Sequence, residues 1–128
     1  MRTTPDFIKE LAPNEVFVFG SNRKGVHGAG AALLAYEKFN AQWGVDFGAT
    51  GQCFAIPTKG LKIETLPLKD IKLYVELFLC HAKTKRNSIF LVTQIGCGLA
   101  GYKPKDIAPM FKGASSNVIL PKVFHDNM

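Results

Sequence analysis

The stretch VFVFGSNRKGVHGAGAALLAYEKF, residues 16–39, joins an unbroken apolar run to a glycine-punctuated loop and then to a helical pattern. Continuous hydrophobics, as opposed to alternating ones, mark residues 15–20 (EVFVFG) as a strand buried on both faces. Ala32, Ala35, Tyr36 and Phe39 recur at helical spacing, so a helix starts in or just after the glycines of residues 28–39. A chain does not need Gly20, Gly25, Gly28 and Gly30 merely to turn this corner. Glycines allow positive φ and let a ligand lie directly against the main chain.

The same alternation continues downstream. CFAIPT (53–58) reads as a second buried strand stopped by Pro57, after a glycine-rich stretch at 40–52 with no sustained period, which reads as a long loop. LKDIKLYVELFLCHAKTK (68–85) is a helix with Ile71, Tyr74, Val75, Phe78 and Ala82 on one face and cations at its carboxyl end. SIFLVTQIG (88–96) is a third strand, running into GCGLAGY. Pro104 and Asp106 open a further helix that Pro109 weakens, and NVILP (117–121) closes as a fourth strand. Strands alternating with helices imply an α/β architecture, a parallel or mixed sheet with helices on its faces. In such sheets ligands sit beyond the carboxyl ends of strands. Two of these ends carry glycine loops.

Length and composition set the outer limits. The 128 residues are enough for one domain, 1–128, and 47% hydrophobic content supplies a core. Sixteen Lys and Arg face ten Asp and Glu, a net +6 that suits an anionic partner but is dispersed along the chain, as a solubilising charge also is. Cys53, Cys80 and Cys97 are too widely spaced for a zinc site and odd in number, which fits free thiols in a reducing compartment. No apolar run approaches the ~20 residues of a membrane span, and the amino terminus lacks the apolar segment of a secretory signal. The expectation is a cytoplasmic protein with no membrane association, no metal and no cofactor.

In the first loop, Gly28-Ala29-Gly30 stands where the free N–H groups of a helix amino terminus would make an anion site. It is neither a Walker loop nor GxGxxG, and on its own the alternative reading is a tight strand-to-helix turn. The second loop, QIGCGLAGY (94–102), offers another concavity of amides around Gly96, Gly98 and Gly101. Two such loops at the ends of two core strands fit the two phosphates of a diphosphate.

Gly-x-Gly-x-Ala at 28–32, together with IGCGLAGY at 95–102, resembles the macro domain family. FGSN at 19–22 is similar to that family's asparagine-bearing loop, and IPTKG at 56–60 to its Thr-Lys step. The resemblance spans about residues 15–121. It implies a three-layer α/β/α sandwich with a mixed sheet that binds ADP-ribose, or an ADP-ribosylated protein or nucleic acid. By that resemblance Gly28, Ala29 and Gly30 cradle one phosphate, and Gly96, Cys97 and Gly98 the other. Asn22 and His27 face the distal ribose, Lys59 adds charge, and Ser21 and Leu99 complete the ligand-binding set.

The same resemblance implies a hydrolytic alternative. Lys59 matches the lysine of one hydrolytic branch, but Ala100 stands where that branch carries aspartate. Asn22 matches the asparagine of another, but Ala31 and Ala32 occupy the place of its acid. His27, with an unperturbed pKa near 6.5, is the remaining acid–base candidate, against a histidine that simply bonds backbone or phosphate. Cys97 is either a nucleophile activated by nearby amides or a small packing residue. Trp43 and Phe47 either stack on adenine or anchor their loop. A nucleic-acid-binding module using the +6 charge stands as the third reading.

Overall fold

The structure, a computed structural model, describes residues 2–128. Five strands form one mixed sheet: β1 (Glu15–Asn22), β2 (Gly48–Thr50), β3 (Cys53–Lys59), β4 (Ile89–Val92) and β5 (Val118–Ile119). Their order is β2-β3-β1-β4-β5, with only β2 antiparallel to its neighbour. Helix α1 (Gly30–Lys38) covers one face, and α2 (Leu68–Thr84), α3 (Pro104–Ile107) and α4 (Lys122–His125) cover the other. The molecule is a three-layer α/β/α sandwich.

The central strand explains the layering. Side chains alternate across a strand, so Phe17 and Phe19 pack with Ala32, Ala35 and Phe39 beside α1. Val18 points the other way, into a core built by Phe54, Ile56, Ile71, Val75, Phe78 and Phe90. Alanine at 32 and 35 lets α1 sit close against the two phenylalanines. Helix α2 buries Ile71, Val75, Phe78 and Ala82 as its periodicity requires, while Tyr74 lies at the margin against Phe47.

Four elements depart from the sequence reading. Pro57 does not stop the second strand: β3 runs through it to Lys59, with Pro57 in register with Ser21. The stretch at 40–52 is not all loop: Gly48–Thr50 adds an antiparallel edge to β3. The third predicted strand, β4, ends at Val92: the Thr93 N–H makes the last ladder bond to the Val18 carbonyl at 3.1 Å, and the Thr93 carbonyl then accepts the Ile95 N–H at 2.8 Å in a turn. The last strand shrinks to Val118–Ile119 and is followed by a helical turn, α4, that seats Phe124 in the core. Pro109 acts as expected, since α3 stops at Ile107 and continues as a 3₁₀ turn over Ala108–Phe111. The three cysteines are unpaired. No helix among the described residues is long and apolar enough to cross a membrane.

Phe78 joins α2 to the sheet through ring contacts with Phe54 at 5.0 Å and Phe90 at 5.4 Å. Phe78→Ala leaves a cavity between those rings and is expected to cost about 3–5 kcal/mol, read from the midpoint of urea unfolding.

Candidate functional site

Parallel pairing puts the carboxyl ends of β3, β1 and β4 at one edge of the sheet. The loop after β1 leads to α1 on one face, and the loop after β4 leads to α3 on the other. Exits that diverge from adjacent strands open a crevice between them. A cleft of about 480 Å³ lies there. Both glycine loops line it: Gly28, Ala29 and Gly30 from one side, Gly96, Gly98 and Leu99 from the other.

The glycines divide into two kinds. Gly25 has φ +73°, and a Cβ there would fall 2.5 Å from the Gly44 carbonyl carbon, so two backbones touch and no side chain fits. Gly96 has φ +74° and would press on Ile107 at 3.0 Å. These two are demanded by the fold. Gly28 and Gly98 lie outside the left-handed region; a Cβ at Gly28 would meet only Val26 at 3.8 Å, and one at Gly98 nothing within 4 Å. Nothing among the described residues requires glycine there. Both face the cleft.

Among the described residues, the N–H groups of Gly28, Ala29, Gly30, Gly96 and Gly98 have no protein acceptor. The first turn of α1 carries no acidic side chain to compete for an anion. The Cys97 N–H, by contrast, is taken by the Gln94 carbonyl at 3.1 Å. Cys97 does not line the cleft; it packs toward the α2 core. Burial, with Asp106 adding to it, pushes its thiol up to about 11. It is a packing residue, not an activated nucleophile.

Several polar side chains expected to face a ligand hold the loop together. Ser21 donates its hydroxyl to the Asp46 carbonyl. The Asn22 amide donates to the Val26 carbonyl at 2.8 Å and accepts from the Val26 N–H at 3.1 Å, closing the turn around Gly25. Asn22 lines the cleft with one amide hydrogen uncommitted.

His27 is placed differently from the expectation. It is fully buried among Phe19, Tyr36 and Trp43, away from the cleft that its neighbours Val26 and Gly28 line. Its Nε2 lies 3.0 Å from the Gln42 carbonyl, which can only accept, so the ring carries its proton on Nε2. Nδ1 has no partner. A buried ring on the far side of the loop cannot exchange protons with a ligand in the cleft, so His27 anchors the loop. Trp43 packs on His27 and Tyr36, and Phe47 on Phe54 and Tyr74. Neither lines the cleft.

Lys59, at the end of β3 opposite Asn22, does line it and makes no ion pair among the described residues. Thr58 of the Thr-Lys step lines it too, as do Ile63, Thr93 and Gln94, which sequence reasoning did not single out as site residues. Thr93 and Gln94 had a signal, since they directly follow a buried strand. Ile63 had none: it is a β-branched residue at φ +62°, a conformation costing roughly 1–3 kcal/mol. A second hollow of about 580 Å³ adjoins the cleft, sharing Gly30, Ala31, Thr93 and Gln94 with it and walled by residues 4–9.

No protein-family model matches the chain, and no curated protein does either. Among solved structures, a protein of unknown function from Bacteroides thetaiotaomicron superposes with a TM-score of 0.62. The match covers 88% of this chain and 90% of that one at 14% identity. The two share a fold.

The Cys97 environment makes a prediction. A thiol pushed up to about 11 is protonated at neutral pH, and its thiolate grows only as pH climbs toward that value. Alkylation of Cys97 by iodoacetamide, followed by peptide mass spectrometry, is expected to accelerate continuously from about pH 7 to pH 10. A plateau below about pH 9 would contradict the partly buried placement.

Proposed function

We propose that the cleft binds ADP-ribose or a related adenine nucleotide diphosphate. The observation that carries this reading is the pair of glycine loops meeting in one cleft, with Gly28 and Gly98 bare where the fold makes no use of their lacking a side chain. A diphosphate fills such a space well. Its oxygens accept from the free N–H groups on either side, each such bond to a charged acceptor contributing about 1.5–3 kcal/mol. The positive end of α1 and the Lys59 ammonium supply the counter-charge. The adjoining hollow gives the adenosine half a place to extend. The resemblance of the glycine loops to the macro domain family supports the same ligand.

Binding is the reading preferred over hydrolysis. Among the described residues the cleft lining contains no Asp, Glu or His, and Lys59 is its one ionisable side chain. Splitting an ADP-ribosyl bond calls for a group that takes or gives a proton beside the reacting atoms. A lysine becomes a nucleophile only when a base or desolvation removes its proton, and no carboxylate borders it in the cleft. On this reading Lys59 is a cation facing phosphate. The diffuse positive charge leaves a nucleic acid as a carrier of the ADP-ribosyl group, not as a ligand read in its own right.

Calorimetry tests this directly: ADP-ribose and ADP are expected to bind, and AMP, with one phosphate, more weakly. RNA binding that outcompetes ADP-ribose and collapses with salt would replace this reading with the nucleic-acid one.

Two variants sharpen it. Gly98→Ala meets no protein atom, so its unfolding free energy is expected to stay within about 0.5 kcal/mol of the parent. Its ADP-ribose affinity is expected to fall about tenfold or more, because the methyl occupies ligand space. Lys59→Ala is expected to weaken binding by about tenfold and to flatten its salt dependence. Equal affinity in both variants would remove the diphosphate from this cleft.

A further inference from the structure

Among the described residues, two non-glycines adopt left-handed backbone, Asn40 and Ile63. Asparagine tolerates that conformation; isoleucine does not. Strain of this kind persists only where surrounding bonds over-determine it, and it gathers at ligand clamps.

The turn carrying Ile63 is held in this way. The Gly60 N–H donates to the Glu64 carbonyl at 2.8 Å, and the Ile63 N–H to the Gly60 carbonyl at 3.1 Å. The Glu64 carboxylate accepts the Lys62 N–H at 3.0 Å. Below the turn, Lys59 pairs with Thr65. Thr65 Oγ1 donates to the Ala100 carbonyl at 2.9 Å, tying the turn to the second glycine loop. All this order does not bury Ile63, which stays 41% exposed on the lining of the cleft. Leu99, 71% exposed, lines the same cleft from the loop to which the turn is tied.

Resting on the diphosphate reading above, we propose that Ile63, with Leu99, is an apolar lip that selects ligands whose diphosphate carries a sugar ring. The free N–H groups of the cleft serve any diphosphate, inorganic pyrophosphate included. Two large apolar side chains at its rim gain nothing from a bare anion. They gain from the carbon face of a furanose attached to it, whose packing removes apolar surface from water. The left-handed backbone at residue 63 is what sets the side chain on this rim. Ile63 is therefore a specificity-determining residue, not one that holds phosphate.

The test is calorimetric titration of the full chain and of Ile63→Asn, Ile63→Gly and Ile63→Val with ADP-ribose and with inorganic pyrophosphate. Asparagine and glycine both accept the left-handed turn, so Ile63→Asn is expected to melt no lower than the parent. Both variants are expected to lose about tenfold in ADP-ribose affinity while holding pyrophosphate within about twofold. Ile63→Val is expected to retain most of the preference for ADP-ribose. If the parent binds ADP-ribose and the Asn and Gly variants bind it equally well, the lip is wrong while the diphosphate reading stands. Equal losses for both ligands make Ile63 a prop for the loop and overturn the selective role. A parent protein that binds neither ligand removes both proposals.

Discussion

Parallel pairing of β1 on both its edges is the constraint from which the rest follows. Phe17 sits in register with Cys53 on one side and Leu91 on the other, so three neighbouring strands end at the same edge of the sheet. Parallel neighbours cannot be joined by tight turns, and each needs a crossover. The crossovers here leave β1 and β4 toward opposite faces. A gap at their carboxyl ends is the geometric result. The apolar run EVFVFG thus does more than fill a core, because a strand covered on both faces requires the layers whose connecting loops build the cleft.

Within the cleft the division of work runs against intuition about side chains. The polar residues of the first loop are largely consumed by the loop itself: Ser21 on Asp46, Asn22 on Val26, His27 on Gln42. Their bonds fix a backbone that would otherwise sample many conformations, at about 1–2 kcal/mol per residue to order. What that loop leaves free toward the cleft is mostly main chain, with one amide hydrogen of Asn22. A rigid array of N–H groups needs no reorganisation to meet an anion, and that pre-organisation is where the buried polar side chains act. The orphaned Nδ1 of His27 is consistent with this: the ring is kept for one bond and its aromatic packing, at the expense of a second polar atom left without a partner.

How much of this was legible depended on whether a residue's role left a pattern in neighbouring letters. The core strand, both long helices and the two glycine loops did, through continuous hydrophobicity, 3.6-residue spacing and clustering. Gly48-Ala49-Thr50 did not, since three small residues carry no period, and they become a strand only because β3 offers them an edge. The retreat of β4 to Val92 was equally hidden, as Thr93-Gln94-Ile95 continues a strand-like composition while the Thr93 carbonyl turns to the Ile95 N–H. His27 misled because adjacency to Gly28 in sequence suggested adjacency in the cleft, whereas the two neighbours face different surroundings. Ile63 was invisible because backbone strain is a property of φ, and isoleucine is the residue least expected to show it.

The composition of the cleft wall also bears on the choice between holding a ligand and transforming it. Hydrolysis by side chains needs groups whose proton occupancy changes near neutral pH, and the lining offers hydroxyls, amides and a single ammonium. Such a set can stabilise a fixed negative charge without moving a proton. The absence of an acid from the first turn of α1 fits the same purpose, because a carboxylate there would draw on the N–H groups and the dipole that a phosphate uses. A wall so short of titrating groups would hold its ligand with little dependence on pH across the neutral range. The diphosphate of the proposed ligand stays charged over that range, so attraction and complementarity would rise and fall with salt instead of acidity.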